Sequence, residues 1–204
     1  MISEASKEPV FKRSLGKDWD DLATSVKSHY SLIPYSADRV LTKGTMEKVS
    51  RSRLAGVFIP FAIFFGALIP RTGRDIPIEV LSHSKPRKAG YYWRRRFYFS
   101  EGKPSNFNST SLYAGPGEIL ELVRFGLGVR LSLSTSGGGM VMRHLKFVWK
   151  IRSLEIRLPI EPLIGRLYVE EMPISENQFS MRLSINHAIF GQTFCYQGTF
   201  TVGR

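Results

Sequence analysis

The sequence predicts an α+β fold whose body is a strongly curved, mainly antiparallel meander sheet, a half-barrel or barrel. Three observations carry this. From Ile76 onward, short β-like runs follow one another with turn residues between them. No helical pattern separates those runs, which favours antiparallel neighbours over crossover units. Ahead of them lie two helical patterns, one amphipathic and one apolar, available to cover a concave face.

The elements follow in order. Met1 to Pro9 is polar and has no apolar centre, so it does not read as a secretory signal. Residues 1–13 read as a flexible N-terminal segment and 14–204 as a single domain. Asp18 has the chemistry of an N-cap. Trp19, Leu22, Val26 and Tyr30 then share one helical face, with Asp20 and Asp21 in the first turn. This helix should end near Tyr30, before Pro34. Arg39 to Val49 alternates as a strand does. Leu54 to Ile69 is uncharged, lies between Arg51/Arg53 and Arg71/Arg74, and contains Gly56, Pro60 and Gly66. It falls short of the roughly 20 residues that span a bilayer. It reads as a buried, Pro-kinked helix on the concave face. The alternative is a segment that dips into a bilayer beneath its arginines.

The remaining strands are expected at Ile76–Leu81, Tyr91–Phe99, Phe107–Tyr113, Glu118–Phe125, Leu127–Ser134, Met140–Lys150, Leu154–Leu158, Arg166–Met172, Phe179–Ile189 and Thr193–Val202. Gly137-Gly138-Gly139 lies between two of them with no helix after it, so it reads as a hairpin turn rather than a phosphate loop. Gly126 and Gly128 suggest a tight connection or a bulge.

Composition bounds function. The 204 residues are 43% hydrophobic, which excludes global disorder. The net charge of +12 favours anionic partners such as membrane surfaces, nucleic acid or acidic small molecules. The basic residues are dispersed, however, and Arg94-Arg95-Arg96 is the one tight run, so a solvated surface is the plain reading. Nucleic-acid binding would rest on charge and on that aromatic–arginine strand alone, and is disfavoured. Cys195 has no partner for an internal disulfide, compatible with a reducing, cytoplasmic setting. Four histidines and one cysteine without ligand spacing argue against zinc, and no cofactor motif is present.

Strand alternation selects candidate site residues. Tyr91, Trp93, Arg95, Phe97 and Phe99 share the more apolar face of their run, so Arg95 points inward while Arg94 and Arg96 face solvent. By the same reading Glu171 shares a face with Leu167 and Val169. His187 shares one with Phe179, Met181, Leu183 and Ile185, and Tyr196 one with Phe194 and Phe200. Buried charges need partners. Arg95, Glu171, His187 and Tyr196 therefore form either a structural brace, an Arg95–Glu171 pair with a hydrogen-bonded histidine, or, with Trp93, the polar end of a ligand pocket. Arg143 is a weaker candidate, on a face with Val141, Leu145, Phe147 and Trp149, and His144 takes the opposite face.

At these positions the chain resembles a bacterial family catalogued as domain of unknown function 4166 (DUF4166). The motifs are Trp93-x-Arg95-x-Phe97, Glu171-x-Pro173, His187-x-x-Phe190-Gly191 and Tyr196-x-Gly198-x-Phe200. Leu15-Gly16, Trp19, Leu22, Val26 and His29-Tyr30 resemble its N-terminal helix, and Gly44-x-Met46, Leu158-Pro159 and Gly165 also fit. The resemblance covers roughly residues 14–200. Ala188 departs from it, since the family pattern tends to have proline after the histidine. Members are sometimes joined to an oxidoreductase-like or a multi-pass membrane module. The resemblance thus implies fold and context and supplies no activity.

Two readings of function follow. In the first, the curved sheet is a binding module for a lipid-like or amphipathic anionic ligand, with its acid head near Arg95 and peripheral contact with an anionic membrane. In the second, His187, Glu171 and Tyr196 act as acid–base groups of a small-molecule enzyme. Oligomeric state is not legible.

Overall fold

The computed structural model describes residues 7–52, 69 and 71–203. Eleven strands form one antiparallel sheet: β1 Arg39–Arg51, β2 Gly73–Lys85, β3 Lys88–Phe97, β4 Ser105–Gly115, β5 Glu118–Leu122, β6 Leu127–Ser136, β7 Gly139–Ile151, β8 Leu154–Leu158, β9 Arg166–Pro173, β10 Gln178–His187 and β11 Gly191–Val202. Each predicted run is a strand, with ends shifted by a few residues. β1 through β6 run as a meander, β6 pairs with β7, and β7 continues through β9, β10 and β11 back to β1. That ring closes a barrel of 10 strands. Closure removes the free edges that an open sheet would expose. β8 stays outside the ring as a hairpin arm on the far half of β7.

The interior follows from alternation. Ile76, Ile78, Val80 and Ser82 of β2 are buried in turn. Opposite them β3 buries Tyr91, Trp93 and Phe97. At Gly44 of β1 a Cβ would lie 2.5 Å from the Thr199 carbonyl and 2.7 Å from the Phe200 ring, so only glycine lets β1 and β11 approach this closely. β7 departs from simple alternation. Leu131 pairs with His144 but Arg130 pairs with Lys146, so Leu145 is the extra residue of a bulge. The bulge moves Phe147 and Trp149 onto the face of Val129, away from that of Arg143. The expected grouping of Arg143 with those aromatics therefore fails.

The N-terminal region plugs one mouth of the barrel, in two departures from the sequence reading. First, the flexible segment does not extend to residue 13. Val10–Leu15 form helix α1, with Val10 and Phe11 fully buried. Second, no single helix starts at Asp18. A 3-10 turn spans Gly16–Asp21, Leu22 and Ala23 are extended, and helix α2 runs Thr24–His29. The cause is tertiary pairing. The amide of Ala23 donates to Gly138 O in the β6–β7 turn at 2.9 Å, and Gly117 N in the β4–β5 turn donates to Ser14 O at 2.7 Å. These contacts stitch the segment across the mouth and break it where it crosses. The anticipated apolar face survives, since Trp19, Leu22, Val26 and Tyr30 are all buried.

Most of the apolar run Leu54–Ile69 lies outside the described residues. Among the described ones, it is the N-terminal elements that reach the barrel interior, through Phe11, His29 and Tyr30. Helix α3, Glu161–Ile164, joins β8 to β9. No helix among the described residues is long and apolar enough to cross a membrane.

Candidate interior binding site

The barrel encloses a cavity of about 80 Å³. Its wall is mostly aromatic and aliphatic, and into it point a few polar groups from β3, β5, β9, β11 and the N-terminal plug. Trp93, Arg95, Glu171 and Tyr196 all line it, as the alternation of their strands requires.

Arg95 sits between two rings, 4.8 Å from the Trp93 centroid and 5.0 Å from that of Phe107. Its Nη1 donates to Ser109 Oγ at 2.7 Å, and its Nη2 lies 3.8 Å from Glu121 Oε1. Glu121 in turn accepts a hydrogen bond from Ser111, whose Oγ accepts from Trp93 Nε1 at 2.8 Å. The counter-ion of Arg95 is therefore Glu121 on β5. The structural Arg95–Glu171 pair is not formed.

Glu171 is 3% exposed, and its Oε2 has no hydrogen-bond partner among the described residues. Burial pushes its carboxyl up to about 8, while the facing Tyr30 hydroxyl and the Arg95 charge pull the other way. At neutral pH it is mainly a neutral acid, able to donate one hydrogen bond and accept others. His29 from α2 is its counterpart. Its Nδ1 lies 3.2 Å from Thr42 Oγ1, and its ring packs on Trp93 and Phe179 at 5.1 and 4.8 Å. Burial, reinforced by Arg95, lowers it to about 3, so the imidazole is neutral. Burial likewise raises Tyr196 to about 12, and raises Tyr91 and Tyr30 well above the usual phenol range. The Tyr91 hydroxyl donates to His29 O, tying the plug to β3.

His187 does not join this cluster. Its Nδ1 accepts from the Ile189 and Phe190 amides at 3.1 and 3.3 Å, and its Nε2 donates to Pro162 O at 2.7 Å. It is a hydrogen-bonded brace between the β10–β11 turn and α3. Alternation turned it inward, but an irregularity after Ile185 and the end of the strand carry it beyond the cavity.

Three interior groups went unread in the sequence: Glu121, His29 and Tyr30. Glu121 was hidden because β5 reads Glu-Ile-Leu-Glu-Leu, apolar on both faces. His29 and Tyr30 sat in a recognised helix motif, yet nothing local says that this helix enters the barrel. Among the described residues no three His, Cys, Asp or Glu side chains gather as a metal site.

Comparison with known proteins adds context. A curated relative, the uncharacterized protein YndH of Bacillus subtilis (strain 168), is 26% identical over 174 residues, covering 77% of this chain and 80% of the relative. A solved structure, that of Rv2717c from M. tuberculosis, matches over 90% of this chain and 99% of that one at 13% identity, with a TM-score of 0.44. A family model described as Domain of unknown function (DUF4166) matches residues 22–200, and the chain belongs to that family.

Proposed function

We propose that this protein is a binding module whose barrel takes up a small molecule, or the head group of an amphipathic one, through an anionic group. The observation that carries the reading is the buried, unpartnered Oε2 of Glu171, which shares a cavity with the loosely paired Arg95 guanidinium. A carboxylate entering there accepts from Arg95 and from the neutral carboxyl of Glu171, while Trp93, Phe179 and Phe200 cover its apolar part.

Size limits the ligand. Drug-sized sites run roughly 300–1,000 Å³, and an apolar cavity of roughly 150 Å³ admits benzene. At about 80 Å³ the interior takes a head group of a few heavy atoms. A lipid tail fits only if the plug or a mouth yields. The acid–base reading loses its geometry, because His187 lies apart from Glu171 and Tyr196.

Thermal-shift and calorimetric titration with straight-chain acids from acetate to octanoate tests this. Saturable binding, an optimum chain length and loss on Arg95→Met are expected. If no acid binds at millimolar concentration, or binding survives Arg95→Met, the proposal is wrong.

A further inference from the structure

The mouth opposite the plug carries a second feature, unrelated to the cavity. Beyond the barrel, the β7–β8 hairpin has two chemically distinct faces. Phe147, Trp149 and Ile151 pair with Leu158, Ile156 and Leu154, so one face is wholly apolar, while Lys150 pairs with Glu155 on the other. Leu154 is 60% exposed and Trp149 41%. The arm is held firmly in this pose. Arg130 of β6 grips Glu155 of β8 with two bonds of 2.7 and 3.0 Å, and also holds Glu118 at 2.8 Å.

The neighbouring connections show the same character. In α3, Leu163 is 50% exposed, and in the β10–β11 turn Ile189 is 80% exposed. His187 joins these two loops through Pro162 O, and Glu161 joins α3 to Arg157 of β8 at 3.8 Å. The exposed apolar residues therefore lie on loops and strand ends that are tied to one another at this mouth.

Charge identifies the occupant. Glu155 is paired with Arg130 and Lys146, and Glu161 with Arg157. Among the described residues Arg152 and Arg166 form no ion pair with a carboxylate, and Lys150, although it faces Glu155 across the hairpin, forms none either, since Glu155 is held by Arg130 and Lys146. An apolar rim bordered by uncompensated cations on a chain of net charge +12 complements an anionic bilayer surface better than another protein of the same charge. We propose that this mouth is a membrane-docking surface, with Leu154, Ile189 and Leu163 entering the interface and Arg152 and Lys150 meeting lipid phosphates.

The test uses the full chain with vesicles of phosphatidylcholine alone or with about one-third phosphatidylglycerol, at low salt. Co-sedimentation with the anionic vesicles is expected, with a blue shift in tryptophan emission. That shift reports Trp149, since Trp19 and Trp93 are buried. The exposed double variant Leu154→Asp/Ile189→Asp should keep its circular dichroism and melting temperature and lose about tenfold or more in partitioning. Arg152→Glu should weaken binding to anionic vesicles and leave neutral ones unaffected. The proposal is overturned if anionic vesicles are not bound, or if the double variant binds as well as the parent. It is equally overturned if light scattering shows a dimer that Leu154→Asp dissolves, which would assign the rim to a second copy of the chain.

Discussion

Replacing Glu171 with glutamine should change how stability depends on pH. The carboxyl titrates at about 8 in the folded chain, against an ordinary value of 4.5. Below 4.5 both folded and unfolded states hold the proton, and this group imposes no penalty. Between 4.5 and 8 the unfolded state has released a proton that the folded state keeps, so stability falls by about 1.4 kcal/mol per pH unit. Above 8 both are ionised and the loss levels off. From pH 5 to pH 8 the wild-type protein should therefore lose on the order of 4 kcal/mol relative to Glu171→Gln, all other groups cancelling in the difference. Glutamine keeps the shape and the acceptor facing Tyr30 but has no proton to release. Urea unfolding of both proteins at pH 5, 6, 7, 8 and 9, followed by tryptophan fluorescence, measures the difference directly. A difference that is flat with pH would refute the buried neutral acid. One that favours the wild type increasingly as pH rises would show a carboxylate held ionised by Arg95.

Three further perturbations separate brace from site. Arg95→Leu leaves Glu121, only 17% exposed, without its cation, and should cost about 2–3 kcal/mol in urea unfolding; the double variant Arg95→Leu/Glu121→Leu should cost less than the two single changes together, and strict additivity would deny the pairing. His187→Ala removes the hydrogen bonds to Ile189 N, Phe190 N and Pro162 O, and should cost about 1–3 kcal/mol while leaving carboxylate affinity unchanged. Loss of binding in a stable His187→Ala protein would return that residue to the site. Arg130→Met releases the hairpin arm, so hydrogen exchange at the β8 amides should speed up about tenfold, a change that amides of β10 should not share; uniform exchange across both strands would argue against a local anchor.

Strand identity was readable because each run pairs period-2 alternation with a turn at its end, and those signals are local. The closed ring was only half readable. Neighbouring strands suggest a meander, but the β6–β7 and β7–β9 pairings that close it, and the exclusion of β8, depend on contacts distant in sequence. Arg95, Trp93, Glu171 and Tyr196 were legible because one polar group on an apolar strand face stands out. Their partners were less so. Glu121 lies on a strand apolar on both sides, and pairing Arg95 with Glu171 assumed that the two most conspicuous charges must meet. His187 failed for a geometric reason, since alternation gives the side of the sheet and says nothing of height along the barrel. The N-terminal plug was misread because its helical pattern is real in composition, while backbone bonds to Gly138 and Gly117 decide where the chain bends.

The claim that Arg95 and a neutral Glu171 together hold an anionic group is tested most directly by a carbon-13 titration of the Glu171 carboxyl, with and without saturating butyrate. The account predicts a midpoint near 8 in the free protein. It further predicts a higher midpoint with butyrate bound, because a second negative charge beside the carboxyl favours its protonated form. A midpoint below 5, or one that butyrate leaves unmoved, would contradict it.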